Sequence, residues 1–260
     1  MSKRRSAPSL TRQEWHAWYS TQAGWTRQTR LWLYRQAGLG QARAILEVGC
    51  GTGVIAEELA RLGPARVVGL DLDLEMLAFA RRQGDGVAYV KGDAHALPFP
   101  DGAFDVVVCH YLLLWLADPV QGVREMTRVV RPGGCVLACA EPDYGGRVDH
   151  PPELAPLGRL QAEALRQQGA EPEMGRRLGE IFAAAGLRAT VGTMAGRWDL
   201  SGPPDGSGFE TEWAMREHDL AGLVSLEELH QLRSVDCQAL TDGRRILFVP
   251  TFYALGRKIL

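Results

Sequence analysis

The stretch that most constrains this chain is Ala44-Ile45-Leu46-Glu47-Val48-Gly49-Cys50-Gly51-Thr52-Gly53. An apolar run stops at three glycines set two apart, and an amphipathic segment, Val54 to Leu62, follows at once. That order predicts a buried parallel strand, a tight turn and the first turn of a helix. Glycines let backbone approach a ligand where a Cβ would clash, and the helix start aims unpaired N–H groups at the same place. In open α/β sheets such a turn lies at the carboxyl end of a strand, where ligands bind.

The spacing of the glycines narrows the choice. A dinucleotide fingerprint needs glycine or alanine three positions after its second glycine, and Val54 stands there. A phosphate-cradling loop needs a Gly-Lys-Ser/Thr ending, which is absent. Downstream, apolar runs alternate with helical periodicity. Strands are expected at Ala44–Val48, Arg66–Leu70, Val87–Val90, Phe104–Cys109 and Cys135–Ala140. Helices between them imply a parallel sheet with right-handed crossovers.

The glycine stretch resembles motif I of the class I S-adenosylmethionine (SAM) dependent methyltransferases, of the methyltransferase type 11 (UbiE-like) kind. Further runs resemble that family in order: Gly69-Leu70-Asp71-Leu72-Asp73, Lys91-Gly92-Asp93-Ala94, Phe104 to His110, and Arg131-Pro132-Gly133-Gly134. The resemblance covers residues 44–140. It implies a doubly wound Rossmann-like sheet, mostly parallel with an antiparallel last strand. Outside that stretch the residues predict N-terminal helices, a strand at Leu187–Met194, a Gly/Pro/Ser-rich loop at Ser201–Gly208 and a last strand over Arg245–Tyr253, so that residues 196–243 interrupt a terminal strand pair as an inserted helical cap. The expected division is 1–40 as a helical lid or arm, 41–195 with 244–260 as the SAM-binding domain, and 196–243 as the cap. The resemblance also implies a SAM-dependent methyltransferase. Members acting on nucleic-acid bases or glutamine amides often carry Asn/Asp-Pro-Pro-Tyr after strand four; Cys109-His110-Tyr111-Leu112 stands here instead, which with the near-neutral charge favours a small-molecule acceptor. A non-catalytic SAM-binding regulator and a NAD-dependent oxidoreductase are the alternatives.

Each part of SAM then has candidate partners. The resemblance gives the methionine end to the loop, through Glu47, Gly49, Cys50, Gly51 and Gly53. Asp71 lies 18 residues after Gly53, near the ~20 of a βαβ unit, so its carboxylate is placed to accept both ribose hydroxyls. Asp73 competes for that role but suits the cap of the next helix. The resemblance gives the adenine edge to Asp93 and the Ala94 backbone, with Leu72 and Met76 as apolar walls. His110, after the fourth strand, is a candidate base, or a hydrogen-bond partner of the cofactor's methionine end. Glu141 and Asp143 border the same crevice, and His150 is a more distant candidate.

Composition sets limits. The net charge of −2 and 23% charged residues give no reason to expect a nucleic-acid partner. No apolar run approaches the ~18 residues of a spanning helix, so no membrane association is expected. Lys3-Arg4-Arg5 is followed by no apolar core, so it does not read as a secretory signal. Five cysteines lack CxxC spacing and six histidines form no ligand cluster. Reduced thiols, a cytoplasmic location and no metal are expected, with a monomer or homodimer as the assembly.

Residues 11–36 carry four of the seven tryptophans, Trp15, Trp18, Trp25 and Trp32, on one helical stripe. Gly24 suggests two helices. They are expected to cover the sheet edge through that stripe, or to form a lid over cofactor and substrate. Arg12, Arg27, Arg30 and Arg35 are expected on a solvated face.

Overall fold

The structure, a computed structural model, describes residues 10–196 and 206–259. The Lys3-Arg4-Arg5 triplet and most of the Ser201–Gly208 loop lie outside them. The chain divides into two units, one of Thr11–Pro142, Glu173–Met194 and Thr251–Leu260, the other drawn from Asp143–Pro172 and Ala195–Pro250.

The first unit is built on a seven-stranded sheet. Its strands are β1 (Ala44–Val48), β2 (Arg66–Asp71), β3 (Val87–Lys91), β4 (Phe104–Cys109), β5 (Val130–Pro142), β7 (Arg188–Thr193) and β9 (Thr251–Arg257), in the order β3-β2-β1-β4-β5-β9-β7. The five strands from β3 to β5 run parallel, and β9 runs antiparallel between β5 and β7. This is the expected mostly parallel sheet with an antiparallel last strand. Leu46, Val48, Val107, Val108, Leu137 and Cys139 are all buried. Near-continuous burial along a strand means that both faces of the sheet are covered.

The covering helices are α1 (Arg12–Ala37), α2 (Val54–Arg61), α3 (Leu74–Ala80), α4 (Pro119–Val129) and α6 (Met174–Ala184). On α2, Ile55 and Leu59 stand four apart and both are buried; each contributes roughly 1.5–3 kcal/mol by leaving water. Helix α4 starts where Asp118 accepts the Gln121 N–H at 2.9 Å and Pro119 takes the first helical position.

The second unit holds α5 (Ala155–Gln167), α7 (Gly206–Asp219), α8 (Leu226–Thr241) and a two-stranded ribbon of β6 (Val148–His150) with β8 (Ile246–Phe248). Its core gathers Leu157, Ala164, Phe209, Trp213, Leu220 and Leu229. Asp236 is fully buried there and accepts bonds from Trp213 Nε1 at 2.8 Å, Arg216 at 3.0 Å and Arg245 at 2.6 Å.

Four local expectations are corrected. Residues 12–37 form one helix, not two. Thr11 and Glu14 cap each other at its start, Gly38 ends it at φ 74°, and Gly24 sits with open space around it. A glycine costs an exposed helix interior only about 1 kcal/mol, too little to break a helix capped at both ends. The tryptophan stripe is not the buried face: Trp25 is 54% exposed and Trp32 41%, while Ala23, Thr26, Arg30, Leu33 and Tyr34 face inward. The strand expected over Arg245–Tyr253 is two strands in two sheets, because Pro250 between them has no N–H to give a ladder. The fifth strand starts early, at Val130, with a register shift where Phe104 and Val106 face it.

Candidate functional site

Strand order reverses at β1: the chain moves outward through β2 and β3 on one side, and through β4 and β5 on the other. The crevice beyond the carboxyl ends of β1 and β4 is therefore the topological switch point. Three glycines fill the turn after β1, with φ 75° at Gly49, 50° at Gly51 and 87° at Gly53. The turn is tied to β2. Gly49 and Cys50 donate their N–H groups to the Leu70 carbonyl at 2.7 and 3.0 Å, and Gly51 donates to Asp71 Oδ2 at 2.7 Å.

Asp71 holds its other oxygen against the Asp73 N–H at 2.9 Å. Each oxygen so engaged keeps a further lone pair, which leaves Asp71 able to accept two ribose hydroxyls. Asp73 is spent on the cap of α3, accepting from Glu75 and Met76 at 2.7 and 3.2 Å. Gly92 donates to the Asp71 carbonyl at 3.0 Å, so Asp93 leaves β3 at the same edge of the sheet. Its carboxyl is held below the ordinary range by the His95 N–H and then by the His95 ring, at 2.9 and 2.8 Å. Ala94 is buried beside it. Leu72 is 65% exposed and offers an open apolar face, whereas Met76 is buried. Glycine loop, Asp71, Asp93 and Leu72 thus share one edge, and together they fit a nucleoside bearing an amino-acid tail.

Other expected site residues turn away. Glu47 is buried under the loop, and its Oε2 has no hydrogen-bond partner. Burial first, and the nearby Asp71 charge second, push its carboxyl up to about 8; the Ala56 N–H in the first turn of α2 works in the opposite direction. Glu47 thus lies beneath the loop with its carboxyl group away from solvent. The Cys50 side chain is likewise buried, with its thiol pushed up by the loss of water, so only its backbone faces the turn. Met76 offers no open wall. Glu141 does not present its carboxylate to the crevice. It is fully buried and accepts the N–H groups of Leu112, Leu113 and Leu114 at 3.0, 2.8 and 3.2 Å, which ties down the segment after β4. Burial raises it to about 7 against those three donors. Asp143 is buried and accepts from Gly146, and His150 pairs with Ile246 in the ribbon of the other unit.

His110 does stand at the end of β4, with Nε2 2.8 Å from Thr26 Oγ1. Burial, then the Arg30 charge, lowers it to about 3. It is neutral at ordinary pH and too weak a proton acceptor to serve as a general base there.

Helix α1 supplies site residues that sequence reasoning missed. A Cβ on Gly51 would lie 3.0 Å from Tyr19 Cε2, so the Tyr19 ring covers the loop. Burial, followed by the charges of Asp71 and Asp73, pushes its hydroxyl up to about 12. His16 Nδ1 meets Thr52 Oγ1 at 3.0 Å, and Arg12 pairs with Glu75 on α3. Arg30, expected in solvent, is fully buried and grips Glu58 on α2 with Nε and Nη2 at 2.8 and 2.7 Å. No local pattern links a helix to a loop thirty residues further on.

Residues 46–138 match the family model described as a methyltransferase domain. A demethylmenaquinone methyltransferase from Chlorobaculum tepidum is 41% identical over 91 residues, 35% of this chain and 38% of that protein. A malonyl-(acyl-carrier protein) O-methyltransferase from Erwinia pyrifoliae is 37% identical over 119 residues, 46% of this chain and 45% of that one. The chain thus spans less than half the length of these curated relatives. Among solved structures the cyclase SpnF superposes with a TM-score of 0.60 at 23% identity, over 90% of this chain and 82% of that one, a likeness of fold. The ordered motifs, the switch-point geometry and the family match agree over residues 46–138: this part of the chain is similar to the methyltransferase domain, including that of menaquinone-pathway methyltransferases of the UbiE-like type.

Proposed function

We propose that this protein transfers a methyl group from S-adenosylmethionine to a small-molecule acceptor. The observation that carries the reading is the 2.7 Å bond from the Gly51 N–H to Asp71 at the switch point, which makes one rigid corner of the glycine turn and the carboxylate. In that reading the backbone of Gly49 to Gly53 takes the methionine end, Asp71 takes the ribose hydroxyls, and Asp93 with the Ala94 N–H takes the adenine edge beside Leu72. When bound, SAM supplies an electrophilic methyl whose departure leaves a neutral thioether, so no acid is required of the protein.

What remains for the chain is positioning and the exclusion of water. His110 is neutral and a poor acceptor, and Glu141 is enclosed by three backbone donors. Neither is suited to remove a proton from an acceptor. The proposed chemistry is therefore an in-line displacement on an acceptor that arrives already nucleophilic. Choice of acceptor is assigned to residues 196–243, and the compartment to the cytoplasm, in keeping with four buried free thiols, Cys50, Cys109, Cys135 and Cys139.

Calorimetry with S-adenosylhomocysteine, followed by turnover with an acceptor panel read as its release, tests this. Binding together with release supports the proposal. Binding without release on any acceptor favours a non-catalytic SAM-binding regulator. NADH binding in its place would return the chain to the dehydrogenases.

A further inference from the structure

Arg30 is fully buried on α1, and four of its five N–H donors have defined partners. Nε and Nη2 fork onto Glu58; Nη1 donates to the Ala23 carbonyl at 2.9 Å and to Thr26 Oγ1. One lone pair of the Thr26 hydroxyl is thereby occupied. Its own proton has two acceptors in reach: the Ala23 carbonyl at 3.4 Å, already used by Arg30, and His110 Nε2 at 2.8 Å. The shorter and less crowded bond is the one to His110. A neutral imidazole has one N–H and one lone pair, so an Nε2 that accepts leaves the proton on Nδ1. The Arg30 charge nearby acts in the same sense, disfavouring a second proton on the ring. Nδ1 makes no hydrogen bond among the described residues.

We propose that Arg30 and Thr26 are positioning residues that hold His110 as the tautomer protonated on Nδ1, a hydrogen-bond donor at the carboxyl end of β4 and not a base. The role of that donor toward a bound cofactor or acceptor oxygen rests on the methyltransferase reading; the tautomer itself does not. Arg30 donates to Glu58 on one side and to Thr26 on the other, so the arginine is fixed by the carboxylate, and Thr26, with a lone pair occupied by Arg30, directs its own proton to His110 Nε2. A fixed N–H at the switch point orients an incoming oxygen without exchanging protons with it.

The test is long-range proton–nitrogen correlation on full-length protein labelled with nitrogen-15 in histidine, at pH 7. A His110→Asn variant assigns the ring among the six histidines. Wild-type protein and Thr26→Ser should both show the Nδ1–H pattern, and Thr26→Val should lose it. An Nε2–H or doubly protonated ring in the wild type overturns the proposal, as does a Thr26→Val spectrum identical to wild type. Should Thr26→Val not fold, the wild-type pattern still decides. S-adenosylhomocysteine calorimetry on the same sample separates the two claims. Cofactor binding with an Nε2–H ring sinks the relay alone, whereas an Nδ1–H ring without binding upholds the relay and sinks the methyltransferase reading.

Discussion

Gly51 and Asp71 are one structural device: the backbone N–H of the first is held by Oδ2 of the second at 2.7 Å, across twenty residues of sequence. The bond fixes the turn after β1 against the end of β2, and it orients the carboxylate at the same time. A ligand meeting either group meets both.

Asp71→Ala should therefore weaken S-adenosylhomocysteine binding by roughly a hundredfold or more, the loss expected for two charge-assisted hydrogen bonds of about 1.5–3 kcal/mol each. The Gly51 amide should also exchange with solvent faster in the free protein. Calorimetry reads the first effect and hydrogen exchange the second. Unchanged affinity would remove Asp71 from the ribose.

Gly53 lies at φ 87°, and a Cβ there would overlap the hydroxyl oxygen of Tyr89. Gly53→Ala should cost ~2–4 kcal/mol, from left-handed backbone and from overpacking together. The Tyr89 hydroxyl is buried with no partner. Tyr89→Phe should leave stability unchanged or raise it by about 1 kcal/mol, because an unpaired polar group is removed. The double variant should recover part of the alanine's cost. Urea unfolding of the four proteins gives the coupling directly; strict additivity would contradict the overlap.

Arg30 is worth more to this fold than a surface arginine. Arg30→Met leaves Glu58, itself only 18% exposed, without its fork. A loss of about 3–5 kcal/mol is expected, as for any half-broken buried pair. Arg30→Lys should recover little, since an ammonium cannot serve Glu58, Ala23 and Thr26 at once. Thermal unfolding of the two variants checks the order, and a lysine variant as stable as wild type would show that charge alone suffices.

The strands from Ala44 to Ala140 were legible because their burial is local: an apolar run flanked by glycine or proline has few folds open to it. Asp71 was legible for the same reason, standing at the end of such a run at βαβ spacing. Helix α1 was not. Trp25 and Trp32 face out and Arg30 faces in, and only distant partners explain the inversion: Glu58, 28 residues from Arg30, and His110, 84 residues from Thr26. The acids Glu47 and Glu141 misled for a related reason. Position at a strand end says which edge a residue occupies, but the backbone donors of Ala56 or Leu112 to Leu114 decide whether its carboxylate reaches solvent.

That enclosure has a consequence for stability against pH. Glu47 is raised from 4.5 to about 8 and Glu141 from 4.5 to about 7, while His110 is lowered from 6.5 to about 3. Above pH 4.5 the unfolded chain gives up both carboxyl protons and the folded chain keeps them. Their contribution is complete below pH 4.5 and is lost as pH rises. His110 has the opposite sign, because below pH 6.5 the unfolded ring is charged and the folded ring is not. From 4.5 to 6.5 the three therefore leave the folded state one proton richer, and stability falls by about 1.4 kcal/mol per pH unit. Between pH 7 and 8 Glu47 acts alone with the same slope. Glu47→Gln copies the protonated side chain and cannot ionise. It should match wild type near pH 4.5 and exceed it progressively up to pH 8, in urea unfolding at a series of pH values. Parallel curves for the two proteins across that window would mean that Glu47 ionises as freely in the folded chain as outside it.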